Sequence, residues 1–251
     1  MNTIKLRLSK FTSINLSQGK PLETIILFAI PLIIANFFQM LYTTVDTIVV
    51  GKCVSSLALA SVGAATPAID LLLGLTIGLS NGLSIVIAQK TGLHNTKVTK
   101  KTIINGFYLI TFIAVLVMSL GLLFNRTLFN LINISNDLMP GAIVYSMIIF
   151  IGTIFAALYN YESAILRAYG NSMVPLLFLI LSATLNVVLD LFFVIVCKLG
   201  IAGVALATIL AQLTCCIFCF VYMKKRLNIL EFEKEDMKFN IILIKEQVKI
   251  A

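Results

Sequence analysis

The chain reads as six long apolar runs separated by short polar or glycine-containing breaks. They cover about residues 24–50, 57–88, 102–124, 138–166, 173–196 and 201–223. A helix needs about 20 apolar residues to cross a bilayer. Every run meets that length, and the second is long enough to cross at a tilt. Pro31 and Pro67 fall inside the first two runs. Each removes a helix hydrogen bond and predicts a bend, which lipid tolerates only where neighbouring protein satisfies the freed carbonyl. Gly74, Gly78 and Gly82 are spaced by four, a pattern that predicts close helix packing on one face of the second run. After Met223 the pattern changes: Glu231, Glu233, Glu235 and Asp236 mix with Lys234 and Lys238. The apolar stretch 239–244 that follows is too short to span and predicts an interfacial or linker helix.

Composition agrees with a lipid-embedded chain. Of 251 residues 59% are hydrophobic and 12% charged, and mean hydropathy is +1.02. A soluble domain carries about 25% charged residues. The predicted fold is therefore an all-α, polytopic membrane bundle of six transmembrane helices. The first run is too long for a cleaved signal peptide and is not followed by a small-residue cleavage site.

The net charge of +8 matters through its position. With the N-terminus inside, inner segments hold Lys5, Arg7, Lys10, Lys20, Lys90, Lys97, Lys100, Lys101, Arg167, Lys224, Lys225 and Arg226, against Lys52, Arg126 and Lys198 outside. Cytoplasmic loops are enriched in Lys and Arg, so both termini are expected in the cytoplasm. The division that follows is a cytoplasmic segment 1–23, a membrane lobe 24–223 and a cytoplasmic or interfacial linker 224–251. The basic clusters flank membrane segments and lack interleaved aromatics, which argues against nucleic acid as a partner.

Candidate chemistry is sparse. One histidine (His94, in a polar loop beside Asn95 and Lys97) and five cysteines make a zinc site improbable. Cys215, Cys216 and Cys219 read as small packing residues, and Cys53 and Cys197 both fall near outer loops, which leaves a disulfide between them open. No nucleophile–base cluster suggests an enzyme. Four acids lie in the predicted spans: Asp46, Asp70, Glu162 and Asp190. A charge at mid-bilayer costs at least about 2.5 kcal/mol, so an intramembrane acid is a functional candidate. Asn186 and Asp190 are four apart and share a helical face. Their oxygens suit a hard cation or a proton, with helix–helix hydrogen bonding as the alternative. Gln39, Thr43 and Asp46 fall at i, i+4 and i+7 on the first span and predict a shared polar face. Asp70 either lines a cavity for cationic cargo or caps the bend after Pro67. Glu162 and Arg167 are expected to reach toward the inner interface.

Several stretches resemble the multidrug and toxic compound extrusion (MATE) transporters. Ile30-Pro31, then Gln39-Met40-Leu41-Tyr42-Thr43-Thr44-Val45-Asp46-Thr47-Ile48-Val49-Val50-Gly51 and Leu57-Ala58-Leu59-Ala60-Ser61-Val62-Gly63, resemble the family's first helix and its continuation. Ala164-Ile165-Leu166-Arg167-Ala168-Tyr169-Gly170-Asn171-Ser172 is similar to its Leu-Arg-x-x-Gly-[Asp/Asn] turn after helix four. Leu199-Gly200-Ile201-Ala202-Gly203-Val204-Ala205-Leu206-Ala207-Thr208 is similar to the opening of helix six.

The resemblance implies a multi-pass plasma-membrane antiporter that takes in Na⁺ or H⁺ and exports organic, often cationic, drugs or toxins. It needs no cofactor beyond the coupling ion. In family members with such a site, the coupling ion is held at positions matching Asp46, Asn186, Asp190 and Thr208. The candidate cleft residues are Gln39, Tyr42, Thr43 and Asp70. Family members have two six-helix lobes, and this chain is expected to supply one, partnered by the bilayer, by a second six-helix lobe or by a copy of itself. A truncated, non-transporting membrane protein and a lipid-linked precursor flippase are the alternatives. The flippase would be expected to show a more cationic cleft.

Overall fold

The computed structural model describes residues 21–93, 95–227 and 232–250. The basic residues Lys5, Arg7, Lys10 and Lys20, and His94, lie outside the described residues. Six long helices follow in order: α1 (Pro21–Cys53), α2 (Ser56–Gly92), α3 (Thr96–Leu131), α4 (Met139–Ala168), α5 (Met173–Leu191) and α6 (Gly200–Arg226). A short α7 (Ile241–Ile250) closes the described chain. All six long helices are apolar and long enough to cross a membrane, as expected.

Most of the helices run past the apolar spans, because polar caps carry the backbone beyond them. The Ser55 side chain accepts a hydrogen bond from the Ala58 amide at 3.0 Å, and Asn95 Oδ1 accepts one from the Val98 amide at 3.1 Å. Each satisfies an amide that has no partner within its helix. Between α4 and α5 the chain turns at Gly170, where φ is 75°. The Gly170 amide bonds the Arg167 carbonyl and the Asn171 amide bonds the Leu166 carbonyl, both at 2.9 Å. This is a Schellman ending, which favours glycine at the left-handed position. Asn171 Oδ1 then accepts from the Val174 amide at 3.1 Å and starts α5. α5 ends in a π turn, Phe192–Val196, two residues after Asp190.

α4 is the central rod, packed along α2, α3 and α6, while α5 pairs with α6 and α1 leans chiefly on α5. The α3 and α6 backbones do not meet, so a gap is left between them over α4. Polar groups lock the rods at separate depths. Tyr161 Oη donates to the Ile103 carbonyl at 2.6 Å, Ser146 Oγ to Asn125 Oδ1 at 3.0 Å, and Ser84 Oγ to the Ala164 carbonyl at 3.1 Å. The outer surface is studded with exposed apolar residues such as Ile33, Phe37, Leu71, Leu75, Phe112 and Leu123. In water such patches would be an aggregation hazard; on six membrane-length helices they suit a multi-pass membrane protein.

One expectation fails in part. Gly74 and Gly78 face open space, and a Cβ on either would touch nothing, while Gly82 is buried. The close approaches lie elsewhere: Tyr161 crosses Gly106, and Phe150 crosses Gly121. A spacing of four finds a face but not its neighbour. Cys53 and Cys197 are both free and exposed. The terminal segment forms α7 and is bound to the bases of α2 and α3. Asn105 Oδ1 accepts from the Asn240 amide at 2.7 Å, Gln247 Nε2 donates to the Thr102 carbonyl at 2.7 Å, and Lys90 Nζ meets Glu246 Oε1 at 2.6 Å. At the exposed edge Lys97 pairs with Glu235 at 3.1 Å, and Lys97 holds the Glu235 carboxyl below its ordinary value.

Candidate functional site

Four of the expected residues converge. Asp46 on α1, Asn186 and Asp190 on α5 and Thr208 on α6 are all buried, and Asn186 and Asp190 are fully so. The turn-to-turn register of α5 stacks Asn186 under Asp190. The packing of α1 on α5 brings the Asp46 carboxyl to the Asp190 carboxyl, close enough for their oxygens to interact. The Thr208 hydroxyl lies 3.4 Å from Asp46 Oδ2 and 3.0 Å from the Val204 carbonyl; its single proton can serve one of them at a time.

The remaining polar atoms of this cluster find no hydrogen-bond partner among the described residues while both carboxyls are ionised. Asp46 Oδ1, both oxygens of Asp190, both polar atoms of Asn186 and the Tyr42 hydroxyl are buried and unbonded. An unsatisfied buried polar group costs about 1–3 kcal/mol, so six at one spot are far outside the usual few of a packed interior. The donor set is oxygen-rich and acidic, which fits a small hard cation or protons.

Beside the cluster lies a cleft of about 500 Å³ lined by residues of α1, α2, α4, α5 and α6. This is within the usual range for small-molecule sites, about 300–1,000 Å³. All four residues expected there line it: Gln39, Tyr42, Thr43 and Asp70. Asp70 is exposed to the cleft rather than folded back to cap the bend at Pro67. The predicted shared face of Gln39, Thr43 and Asp46 is divided instead. Gln39 and Thr43 look into the cleft, while Asp46 turns toward Thr208 and Asp190. Tyr42 belongs to both places, lining the cleft and packing beside Asp46.

Sequence reasoning missed several cleft residues. Asn36, Tyr159, Asn160 and Gln212 line it, and Tyr145 stands close to Asp46, Asp70 and Asp190. A polar residue near the apolar centre of a span was the available signal for Asn160 and Gln212. Arg167 lines the cleft and donates through Nη2 to Asn81 Oδ1 at 3.3 Å. Glu162 is buried and lines a separate pocket.

Six membrane-length helices around a cleft and a buried acidic cluster define a helical unit of a multi-pass membrane protein. The MatE family model matches residues 31–192, and the chain belongs to that family. The chain is 31% identical over 197 residues to the "Probable multidrug resistance protein YpnP" of Bacillus subtilis, covering 78% of this chain and 44% of that protein. It is 27% identical over 195 residues to the "Probable multidrug resistance protein NorM" of Thermotoga maritima, covering 76% of this chain and 42% of that one. A solved MATE structure in the bent conformation superposes with a TM-score of 0.84 at 25% identity, over 92% of this chain and 52% of that one. A MATE structure in complex with MaD5 gives 0.85 at 25% identity, over 94% and 54%. The chain thus spans about half the length of the relatives it matches.

Proposed function

We propose that this chain is the N-terminal lobe of a cation-coupled multidrug antiporter. Asp46, Asn186, Asp190 and Thr208 hold the coupling Na⁺ or H⁺, and the cleft bearing Gln39, Tyr42, Thr43 and Asp70 receives an organic, cationic drug or toxin. One observation carries the reading: a buried, oxygen-rich cluster most of whose polar atoms are unsatisfied adjoins a drug-sized cleft, and Tyr42 borders both. Two facing carboxylates in low dielectric cannot easily both ionise, so they share a proton or a cation. Charging the cluster therefore changes what Tyr42 and α1 pack against, and with them the cleft wall. α1 is suited to respond, since little of its surface is buried.

The lobe spans 24–223, between a cytoplasmic segment 1–23 and a linker 224–251, with both ends in the cytoplasm of a plasma-membrane protein. Alternating access works by two halves rocking about a central site, and the cleft is one wall of that site. The facing wall comes from a second six-helix lobe or a copy of this one. The multidrug names carried by the relatives support export of drugs over lipid-precursor flipping. So does the cleft charge, which sets Asp70 against Arg167 instead of concentrating positive charge.

The test is uptake of an organic cation into proteoliposomes holding the full chain, alone and with a candidate second lobe, driven by a Na⁺ or a proton gradient. Gradient-driven transport that is lost in Asp190→Asn and reduced in Asp70→Asn is expected. Transport indifferent to both gradients and to Asp190→Asn would refute the coupling assignment.

A further inference from the structure

α4 presents a second face that the cleft does not use. Tyr159, Asn160, Ser163 and Arg167 look into the cleft, whereas Leu158, Glu162 and Ile165 look the other way, into the gap between α3 and α6. There a pocket of about 200 Å³ is walled by apolar residues, among them Ile104, Phe107, Leu158, Phe220 and Phe232, with Glu162 as its one charged group among the described residues. Phe107 and Phe220 stand at the exposed rim. The Glu162 side chain is more than nine-tenths buried. Its Oε1 accepts a weak bond from the Cys216 thiol at 3.7 Å, the Cys219 thiol stands beside the carboxyl, and Oε2 is buried without a hydrogen-bond partner among the described residues.

The surroundings select the ligand. A metal ion would need several oxygens. Among the described lining residues the one other side-chain oxygen is the Tyr161 hydroxyl, which is already donated to the Ile103 carbonyl. Aromatic faces around a buried carboxylate suit an organic ammonium, attracted by the charge and by the ring quadrupoles. The volume is below the range for drug-sized ligands, so the body attached to that ammonium must be small. We propose that this lateral pocket is a binding site for a small arylalkyl ammonium entering between α3 and α6, with its nitrogen on Glu162 and its ring among Phe107, Phe220 and Phe232. The site is separate from the cleft, and its failure would leave the transport reading untouched.

The sequence contains no tryptophan, so Phe220→Trp supplies a single fluorescent reporter at the rim. The full chain carrying it is titrated in detergent with phenethylammonium and with the neutral 2-phenylethanol. A saturable change with the ammonium is expected, with the alcohol much weaker. Adding Glu162→Gln should weaken ammonium binding by about tenfold to a hundredfold, the range for a lost charge-assisted bond. Should Glu162→Gln fail to yield monodisperse protein, Ile104→Phe keeps the carboxylate and fills the pocket, and it must abolish the response. The proposal is overturned by a non-saturating signal, by equal affinity for the alcohol, by an unchanged response in Glu162→Gln or Ile104→Phe, or by a response that vanishes in Asp70→Asn, which would seat the ammonium in the cleft.

Discussion

Replacing Asp190 by asparagine keeps its shape and removes one of two facing carboxylates. In the native cluster six buried polar atoms lack hydrogen-bond partners among the described residues, so a bound cation supplies interactions that packing does not. At a cation concentration about 100 times its Kd, binding adds about 2.7 kcal/mol to stability. For a chain of this size 1 kcal/mol moves the melting midpoint by about 2–4 °C, so saturation should raise it by about 5–10 °C. Losing the charged partner weakens the site by about 1.5–3 kcal/mol, or about tenfold to a hundredfold. At the same cation concentration the variant then gains only about 0.4–1.4 kcal/mol. The ion-free variant should melt no lower than the ion-free native chain, because an unpaired buried charge has been removed. The assay is a thermal melt in detergent across Na⁺ at fixed pH, then across pH without Na⁺. A native chain that responds to neither, or a variant whose response equals the native one, refutes a cation site at Asp190.

Other outcomes follow from the packing. In Gly106→Ala the new methyl would meet Tyr161 Oη at 2.5 Å; Tyr161 is fully buried and bonded to Ile103, so a loss of about 1–3 kcal/mol is expected, read as a lower melting midpoint. Asn105→Ala removes the acceptor for the Asn240 amide and should raise hydrogen exchange across α7 while leaving α4 protected. Lys90→Ala breaks the half-buried pair with Glu246 and should loosen α7 by no more than about 1 kcal/mol, measured by the same exchange. Because Lys97 depresses the Glu235 carboxyl, its contribution is present above the unfolded-state value and fades as pH falls through the lower folded value. The protection factors of α7, that is, exchange corrected for the intrinsic pH-dependent amide rate, should therefore fall on acidification in the native chain, and less so in Lys97→Ala.

Local patterning was sufficient for the six rods, since a run of apolar residues in lipid has only the helix to satisfy its backbone. It also marked the acids, because a carboxylate in a span is costly and stands out against its neighbours. Asn186 and Asp190 share a face by helical geometry alone, and that much needs no partner helix. Which rods meet was not legible. The pairing of Asp190 with Asp46 and Thr208 depends on α5 lying between α1 and α6. The division of Gln39 and Thr43 from Asp46 depends on how α1 is rotated against α5. Glu162 and Arg167 show the same limit: five residues apart on one helix, one enters an apolar lateral pocket and the other the cleft. Gly74 and Gly78 carry a packing signal with no neighbour to receive it, whereas Gly106 and Gly121, without such spacing, take the close contacts. Sequence sets what each helix must bury or expose; only the packed bundle decides against what, because side-chain neighbours across helices depend on crossing positions and rotations that no single helix encodes.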